Sequence, residues 1–172
     1  DCSAEFGLSY ICQYNGHDLC SLHKKLQFQP LIRQEYVCLA APTFPGLVDM
    51  KNLSLKKLLS YPLILFENSD SRNYTSVLLG QFGHSESFIF EKNYSIYLEL
   101  IRSGIGVSLA LAPALKSAAA IHSNDFISIP LSDDAYVDFG ILTTVKPRSP
   151  ATEQFLIFLK QYLHIYGVHP LI

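Results

Sequence analysis

The stretch Tyr36-Val37-Cys38-Leu39-Ala40-Ala41 (YVCLAA) is stopped by Pro42 and again by Pro45. An unbroken apolar run of this length, closed by prolines, reads as a strand buried on both faces and is too short for a core helix. Working outward from it, strand-length apolar runs alternate with helical patterns. Upstream, Phe6 to Ile11 is strand-like, a polar loop carries Asn15-Gly16, and Leu19, Leu22 and Leu26 read as a short helical stretch. Downstream, Ser54 caps a short helix (LKKLL) that Pro62 stops, and Leu63 to Phe66 (LILF) is a strand. The polar residues 67–73 open a helix through Val77-Leu78-Leu79 that ends near Gly80 to Gly83, and Phe88 to Phe90 is a further strand. Ser95 is the expected cap of a helix from Ile96 to Arg102, with Gly104 at the left-handed position that ends it. A strand at Val107 to Leu111, an Ala-rich helix up to Ile121, and strands at Phe126 to Leu131 and Tyr136 to Val145 follow. Ser149 caps, and Pro150 opens, a last helix from about Ala151 to Tyr166. This alternation predicts an α/β fold with a mainly parallel sheet.

The chain has 172 residues, 49% hydrophobic and 16% charged, and needs neither disulfide nor metal to bury a core. Its net charge is −2, and its longest basic runs are the pairs Lys24-Lys25 and Lys56-Lys57, which excludes a phosphate-gripping face of clustered cations. Four cysteines, Cys2, Cys12, Cys20 and Cys38, show no C-x-x-C pair, and the six histidines form no H-E-x-x-H, so no metal site is expected. Reduced thiols in a cytoplasmic protein are the plain reading, and a redox switch using Cys12 and Cys20 is the sharper one. No apolar run approaches the about 20 residues of a membrane span. The acidic start Asp1-Cys2-Ser3-Ala4-Glu5 is not a signal peptide, and it opens so abruptly that a fragment is expected. The last helix carries two apolar stripes, Leu156, Leu159, Leu163 and Tyr166, then Phe155, Phe158, Tyr162 and Ile165. One stripe suffices to pack a helix on its own domain, so the second belongs either to a deeply buried helix or to a contact with another subunit.

Four segments carry a resemblance. Pro30-Leu31-Ile32-Arg33-Gln34-Glu35 leads into the strand Tyr36 to Ala41 and the proline-marked loop after it, and Leu53 to Phe66 has an "L-x-L-x-x-L … P-L-I" form. Ile101-Arg102-Ser103-Gly104-Ile105-Gly106-Val107 is followed by Pro113, and Ser149-Pro150-Ala151-Thr152-Glu153-Gln154-Phe155 runs on to Phe158-Leu159. In this order, over roughly Glu5 to Leu163, they resemble the regulatory domain of LysR-type transcription regulators. The winged helix-turn-helix and linker helix of that family, and the first strand–helix portion of its regulatory domain, have no counterpart in the sequence.

The resemblance implies an α/β, two-lobed fold like that of type 2 periplasmic binding proteins, with two crossover strands and the first lobe incomplete. Residues 1–38 and 145–172 would form subdomain I and residues 39–144 subdomain II. A small-molecule effector would sit between them, no cofactor is implied, and the chain would assemble as a dimer or tetramer, pairing its last helix with a neighbour. DNA would be met only through a segment the sequence does not contain. Ligands of open α/β sheets bind at strand carboxyl ends, where helix N-termini attract anions. The residues so placed are Ser69, Asp70 and Ser71, then Lys92, Asn93 and Tyr94, with Ser9, Tyr10 and Ile11 on the facing lobe. Each also has a plainer role, as helix cap, solvated lysine or core residue, and Asp70 would repel a carboxylate. No G-x-S-x-G, P-loop or dinucleotide motif occurs, so no catalysis is expected. A solute-binding protein of a transport system and a thiol-sensing regulator are the rival readings.

Overall fold

β3 organises the molecule. In the computed structural model, which describes residues 6–19, 25–67, 71–83, 87–112, 124–144 and 149–165, this strand spans Leu26–Ala40. From Leu26 to Glu35 it pairs antiparallel with β8 (Ala135–Thr144), and β8 pairs antiparallel along its whole length with β1 (Phe6–Tyr14). Beyond Glu35 the partners change. Tyr36 to Leu39 pair with β6 (Ser108–Leu111), and Val37 to Ala40 pair with β7 (Ile127–Pro130) on the other side, both antiparallel. The sheet order is β2-β1-β8-β3-β6, with β7 also on β3 and β2 (His17–Asp18) at the edge.

The expectation of a mainly parallel sheet is therefore wrong. Parallel pairing is confined to β4 (Leu63–Phe66) with β5 (Phe88–Glu91) and to the bridges Leu53–Leu131 and Leu63–Val107. Strand–helix alternation holds from Ser54 to Leu111, where it yields these parallel contacts. Outside that span no described helix separates β1 from β3 or β7 from β8, and strands without a crossover helix meet antiparallel. Asn15 and Gly16, with φ of 49° and 73°, make the two-residue turn that folds β2 back on β1.

Leu26, expected in a helical stretch, instead opens β3. Residues 20–24 of that stretch lie outside the described residues. The run Leu26-Gln27-Phe28-Gln29 has the period of two that a strand requires. Pro30 is accommodated by a register shift between Pro30 and Ile32, which gives Leu31 no partner and buries it fully. Gly140 lies opposite Pro30, and a Cβ there would strike the Gln29 carbonyl oxygen and the Phe28 ring.

Helix ends follow the local chemistry. Ser54 Oγ accepts from Lys57 N at 3.1 Å and opens α1 (Leu55–Leu58), whose Leu55 N also donates to Asp133 Oδ2 at 2.7 Å. α2 (Ser71–Gly80) follows β4. α3 (Tyr94–Arg102) is capped by Asn93, not by Ser95 as expected. Asn93 Oδ1 accepts from Ser95 N at 3.0 Å and Ile96 N at 3.3 Å, so the helix begins two residues earlier. It ends at Gly104 (φ 71°), with Gly104 N donating to Ile101 O and Ile105 N to Leu100 O, the paired bonds of a left-handed stop. Gly106 is needed for closeness instead, since a Cβ there would lie 2.6 Å from the Pro62 carbonyl oxygen and 3.1 Å from Ile64 Cγ1. Ser149 Oγ accepts from Thr152 N at 3.3 Å and caps α4 (Pro150–Ile165), as expected. The Ala-rich helix expected up to Ile121 lies almost wholly outside the described residues.

The largest core cluster runs from Cys12 on β1 through Tyr36, Cys38 and Ala40 on β3 to Leu55, Leu58, Leu63, Leu78 and Leu79. A second gathers Leu39, Ile64, Tyr97, Leu98 and Ile101. A third joins Leu31 and Ile141 to Leu156 of α4, with Leu159 and Leu163 beside them. One stripe of the last helix thus packs on the sheet, while Phe155, Phe158 and Tyr162 of the other are 38%, 59% and 46% exposed.

One polar clamp holds the two long strands together. Arg33 on β3 and Asp138 on β8 are register partners, and the guanidinium meets the carboxylate in a fork, Nε–Oδ1 2.9 Å and Nη2–Oδ2 3.0 Å. The same guanidinium lies 3.6 Å from the centre of the Tyr136 ring. Asp138 is 4% exposed, so losing Arg33 strands a buried charge. Arg33→Met is expected to cost about 2 kcal/mol, discounted for the half-exposed arginine, and Arg33→Met with Asp138→Leu to recover most of it. Urea denaturation of the single and double variants checks this. In the same assay Gly106→Ala should destabilise by about 1–3 kcal/mol, because neither the Pro62 carbonyl nor Ile64 has room to retreat.

Candidate functional site

β4 and β5 are parallel neighbours, in register from Leu63 opposite Phe88 to Phe66 opposite Glu91. Their carboxyl ends are therefore side by side, tied further by the bond from Glu67 N to Glu91 O at 2.8 Å. Two segments far apart in sequence, Glu67 at the end of β4 and the junction into α3 at Lys92–Tyr94, are brought to one edge. α3 starts at that edge with the positive end of its dipole, its Ser95 and Ile96 amides closed by the Asn93 cap, and α2 begins four residues after Glu67.

Ser71 is the first residue of α2, and Ser69 and Asp70 lie outside the described residues. Lys92 is exposed. Asn93 has its side-chain oxygen committed to the α3 cap, and its own N–H donates to Glu91 Oε1 at 2.7 Å. Tyr94 is 38% exposed, its ring edge-on to Phe66 at 5.4 Å and stacked on Tyr97 at 5.7 Å. Partial burial raises the Tyr94 phenol above its ordinary range, so it stays a neutral donor.

On β1, Ser9, Tyr10 and Ile11 lie opposite Gly140, Phe139 and Asp138. Strand alternation divides them. Tyr10 shares a face with Cys12 and Tyr14 and packs against the largest core cluster, while Ser9 and the buried Ile11 point the other way.

The Tyr10 face leads to residues that sequence reasoning missed. Cys12 Sγ lies 2.9 Å from Tyr36 Oη, and Thr75 of α2 is among the groups that bear on the Tyr36 phenol. All three are at least nine-tenths buried. Thr75 sits one turn, about 6 Å, below Ser71 at the start of α2. Tyr36 occupies the point where β3 exchanges β8 for β6 and β7. Burial first, then the neighbouring thiol, pushes its phenol far above the ordinary range, so it is a fixed neutral group. A second buried pair, Tyr97 Oη donating to Ser108 Oγ at 2.8 Å, lies behind α3, and burial pushes Tyr97 up to about 12. The one available signal was a polar atom at Tyr36 in an otherwise apolar run.

The two described thiols, Cys12 and Cys38, have no reactive setting. Cys38 is fully buried and desolvation pushes it up to about 12, whereas a reactive cysteine needs a lowered value and access. Cys12 is fully buried against Tyr36, and Cys20 lies outside the described residues. Among the described residues no three His, Cys, Asp or Glu side chains gather as a metal site, and no helix is long and apolar enough to cross a membrane. Asp133, one of two adjacent carboxylates in a turn, is occupied by the amide of Leu55.

Comparison with known proteins agrees with this architecture. No curated protein matches the chain. Among solved structures, a variant of the BenM effector-binding domain superposes with a TM-score of 0.73 at 17% identity, covering 96% of this chain and 74% of that one. The BenM effector-binding domain with its effector benzoate gives 0.72 at 16%, covering 95% and 71%. HinK, a LysR family transcriptional regulator from Pseudomonas aeruginosa, gives 0.65 at 16%, covering 91% and 53%. These likenesses establish the fold, that of type 2 periplasmic binding proteins. The family model described as the LysR substrate binding domain matches residues 16–164 and favours neither the transport nor the thiol-sensor reading: the chain belongs to the LysR substrate-binding domain family.

Proposed function

We propose that the chain is the sensor of a LysR-type regulator and that it binds a small organic acid where the carboxyl ends of β4 and β5 face β1. On this reading Ser69, Asp70, Ser71, Lys92, Asn93 and Tyr94 are assigned to one wall and, of the β1 candidates, Tyr10 to the other, since Ser9 and Ile11 point away from it. The observation that carries this reading is the shared edge, where the Glu67–Glu91 bond holds the end of β4 beside the junction into α3. A helix N-terminus and Lys92 favour an anion, Asp70 favours a ligand that also has a hydroxyl or amine, and the Tyr94 ring suits a planar or cyclic body. Benzoate in BenM and shikimate in QuiR are cyclic carboxylates, and of the two shikimate also carries hydroxyls. The chain binds without turnover and works in the cytoplasm. Residues 1–38 and 145–172 form one subdomain and 39–144 the other, β3 passing from the first into the second. DNA is contacted by a further segment, and the effector acts by favouring one arrangement of the subdomains.

A thermal-shift screen of cyclic and hydroxylated acids tests the pocket. At about a hundred times its Kd, a bound acid stabilises by about 2.7 kcal/mol. Lys92→Ala and Ser69→Ala are each expected to weaken it about tenfold, removing about 1.4 kcal/mol of that gain. An acid that protects both variants as well as the parent shows that the pocket lies elsewhere.

The exposed stripe of α4 is proposed to meet a second copy of the chain. Phe155, Phe158 and Tyr162 form an exposed apolar stripe on a helix whose other stripe packs on its own sheet. Sedimentation should find a dimer or tetramer, and Phe158→Glu with Tyr162→Glu should yield a monomer with unchanged melting. A parent that stays monomeric at its highest soluble concentration removes this contact.

A further inference from the structure

Three aromatic rings close a triangle at the carboxyl end of β4. Phe66 ends that strand, Tyr94 opens α3, and Tyr97 lies one turn further along the same helix. The Phe66 ring is 5.4 Å from Tyr94 and 5.6 Å from Tyr97, and Tyr94 stacks on Tyr97 at 5.7 Å. Tyr94 is partly exposed, whereas Tyr97 is buried. The Tyr97 hydroxyl donates to Ser108 Oγ at 2.8 Å, and Ser108 is fully buried on β6, opposite Leu39 of β3.

The surroundings of this bond are apolar, with Leu39, Ile64, Leu98, Ile101 and Phe126 in the same cluster as Tyr97. Two hydroxyls sunk there and bonded to each other add little net stability, because removing both spares their desolvation along with their bond. What they add is direction. Ring pairs accept offset and edge-on arrangements at centroid separations of about 4.5–7 Å, so the triangle alone leaves the pitch of its rings loose. A hydrogen bond of 2.8 Å fixes it.

We propose that Tyr97 is a positioning residue: anchored on Ser108, it sets the angle at which the Tyr94 ring stands at the shared strand edge. The sheet beneath α3 thereby fixes an aromatic surface from behind. Its use in choosing a ligand rests on the effector reading above, on which a planar body lying against Tyr94 is accepted at one tilt. The anchoring of the ring does not depend on that reading.

Fluorine NMR of the full chain without ligand tests it, with 3-fluorotyrosine at position 94 in one sample and at position 61 in another. Tyr61 is the control, since its ring is edge-on to Phe44 and packs against a different core cluster. Ser108→Ala keeps all three rings, Tyr97→Phe removes only the hydroxyl, and the double variant removes both polar atoms. In each, the resonance at position 94 is expected to move by more than its own linewidth while that at position 61 stays in place. The double variant is expected to melt close to the parent, which separates orientation from stability. A large fall in its melting temperature would make the pair a stabilising bond. An unmoved resonance at position 94 would show that stacking alone seats the ring, and equal movement at both positions would show general loosening. Each of these three results overturns the proposal. Should a single variant fail to fold, the double variant, which strands no hydroxyl, decides. Because no ligand is added, a failed effector screen leaves this result standing.

Discussion

A single strand serving two sets of neighbours constrains everything else. Up to Glu35, β3 is held on β8 by ladder bonds and by the Arg33–Asp138 fork. From Tyr36 onward it lies between β6 and β7. Both stretches are stiff for different reasons, one through a charge pair that cannot be parted without exposing Asp138, the other because it is flanked on both sides. Any relative motion of the two halves has to be absorbed between them, and there the chain places Tyr36. A tyrosine suits that position: its ring fills the largest core cluster while its hydroxyl makes directional bonds.

Much of the fold was readable because its signals are local. The LILF strand, the Ser54 and Ser149 caps and the glycine stop at Gly104 each depend on a few adjacent residues, and each is found where the sequence puts it. The LysR-like segments set the architecture by their order. Pairing direction was not readable in the same way. Periodicity reports which face of a strand is buried, whereas direction depends on which strand arrives beside it, and Arg33 and Asp138 are 105 positions apart. The first half of β3 was missed for a related reason. Pro30 argues against a strand, and its toleration depends on a register shift and on Gly140 across the ladder. At α3 two capping residues stood two positions apart, and the choice of Asn93 over Ser95 came from where β5 ends.

The candidate site divides along the same line. Helix starts at strand ends are written locally, so the segments at 69–71 and 92–94 could be picked out. That the strands leading into them end side by side follows from the parallel register of β4 and β5. On β1, three consecutive residues were singled out together, but alternation sends Tyr10 one way and Ser9 and Ile11 the other. The buried Cys12–Tyr36 pair was invisible because its members come from two strands and each alone resembles ordinary core.

The scarcity of charge motifs in this chain has a structural cause. Asp138 is committed to Arg33, Asp133 to the Leu55 amide and Glu91 to the Asn93 amide. These carboxylates do architectural work at the strand crossing and at two helix entrances. Among the described residues the shared edge carries the start of α2 at Ser71, the Tyr94 ring and the exposed Lys92. Such groups discriminate by hydrogen-bond geometry and shape more than by net charge, because a missed bond to a buried donor costs more than a mismatch in size. They also leave the sensor's response tied to position, since amides at a helix start move with the helix. On the reading proposed above, such a pocket reports on where α2 and α3 sit.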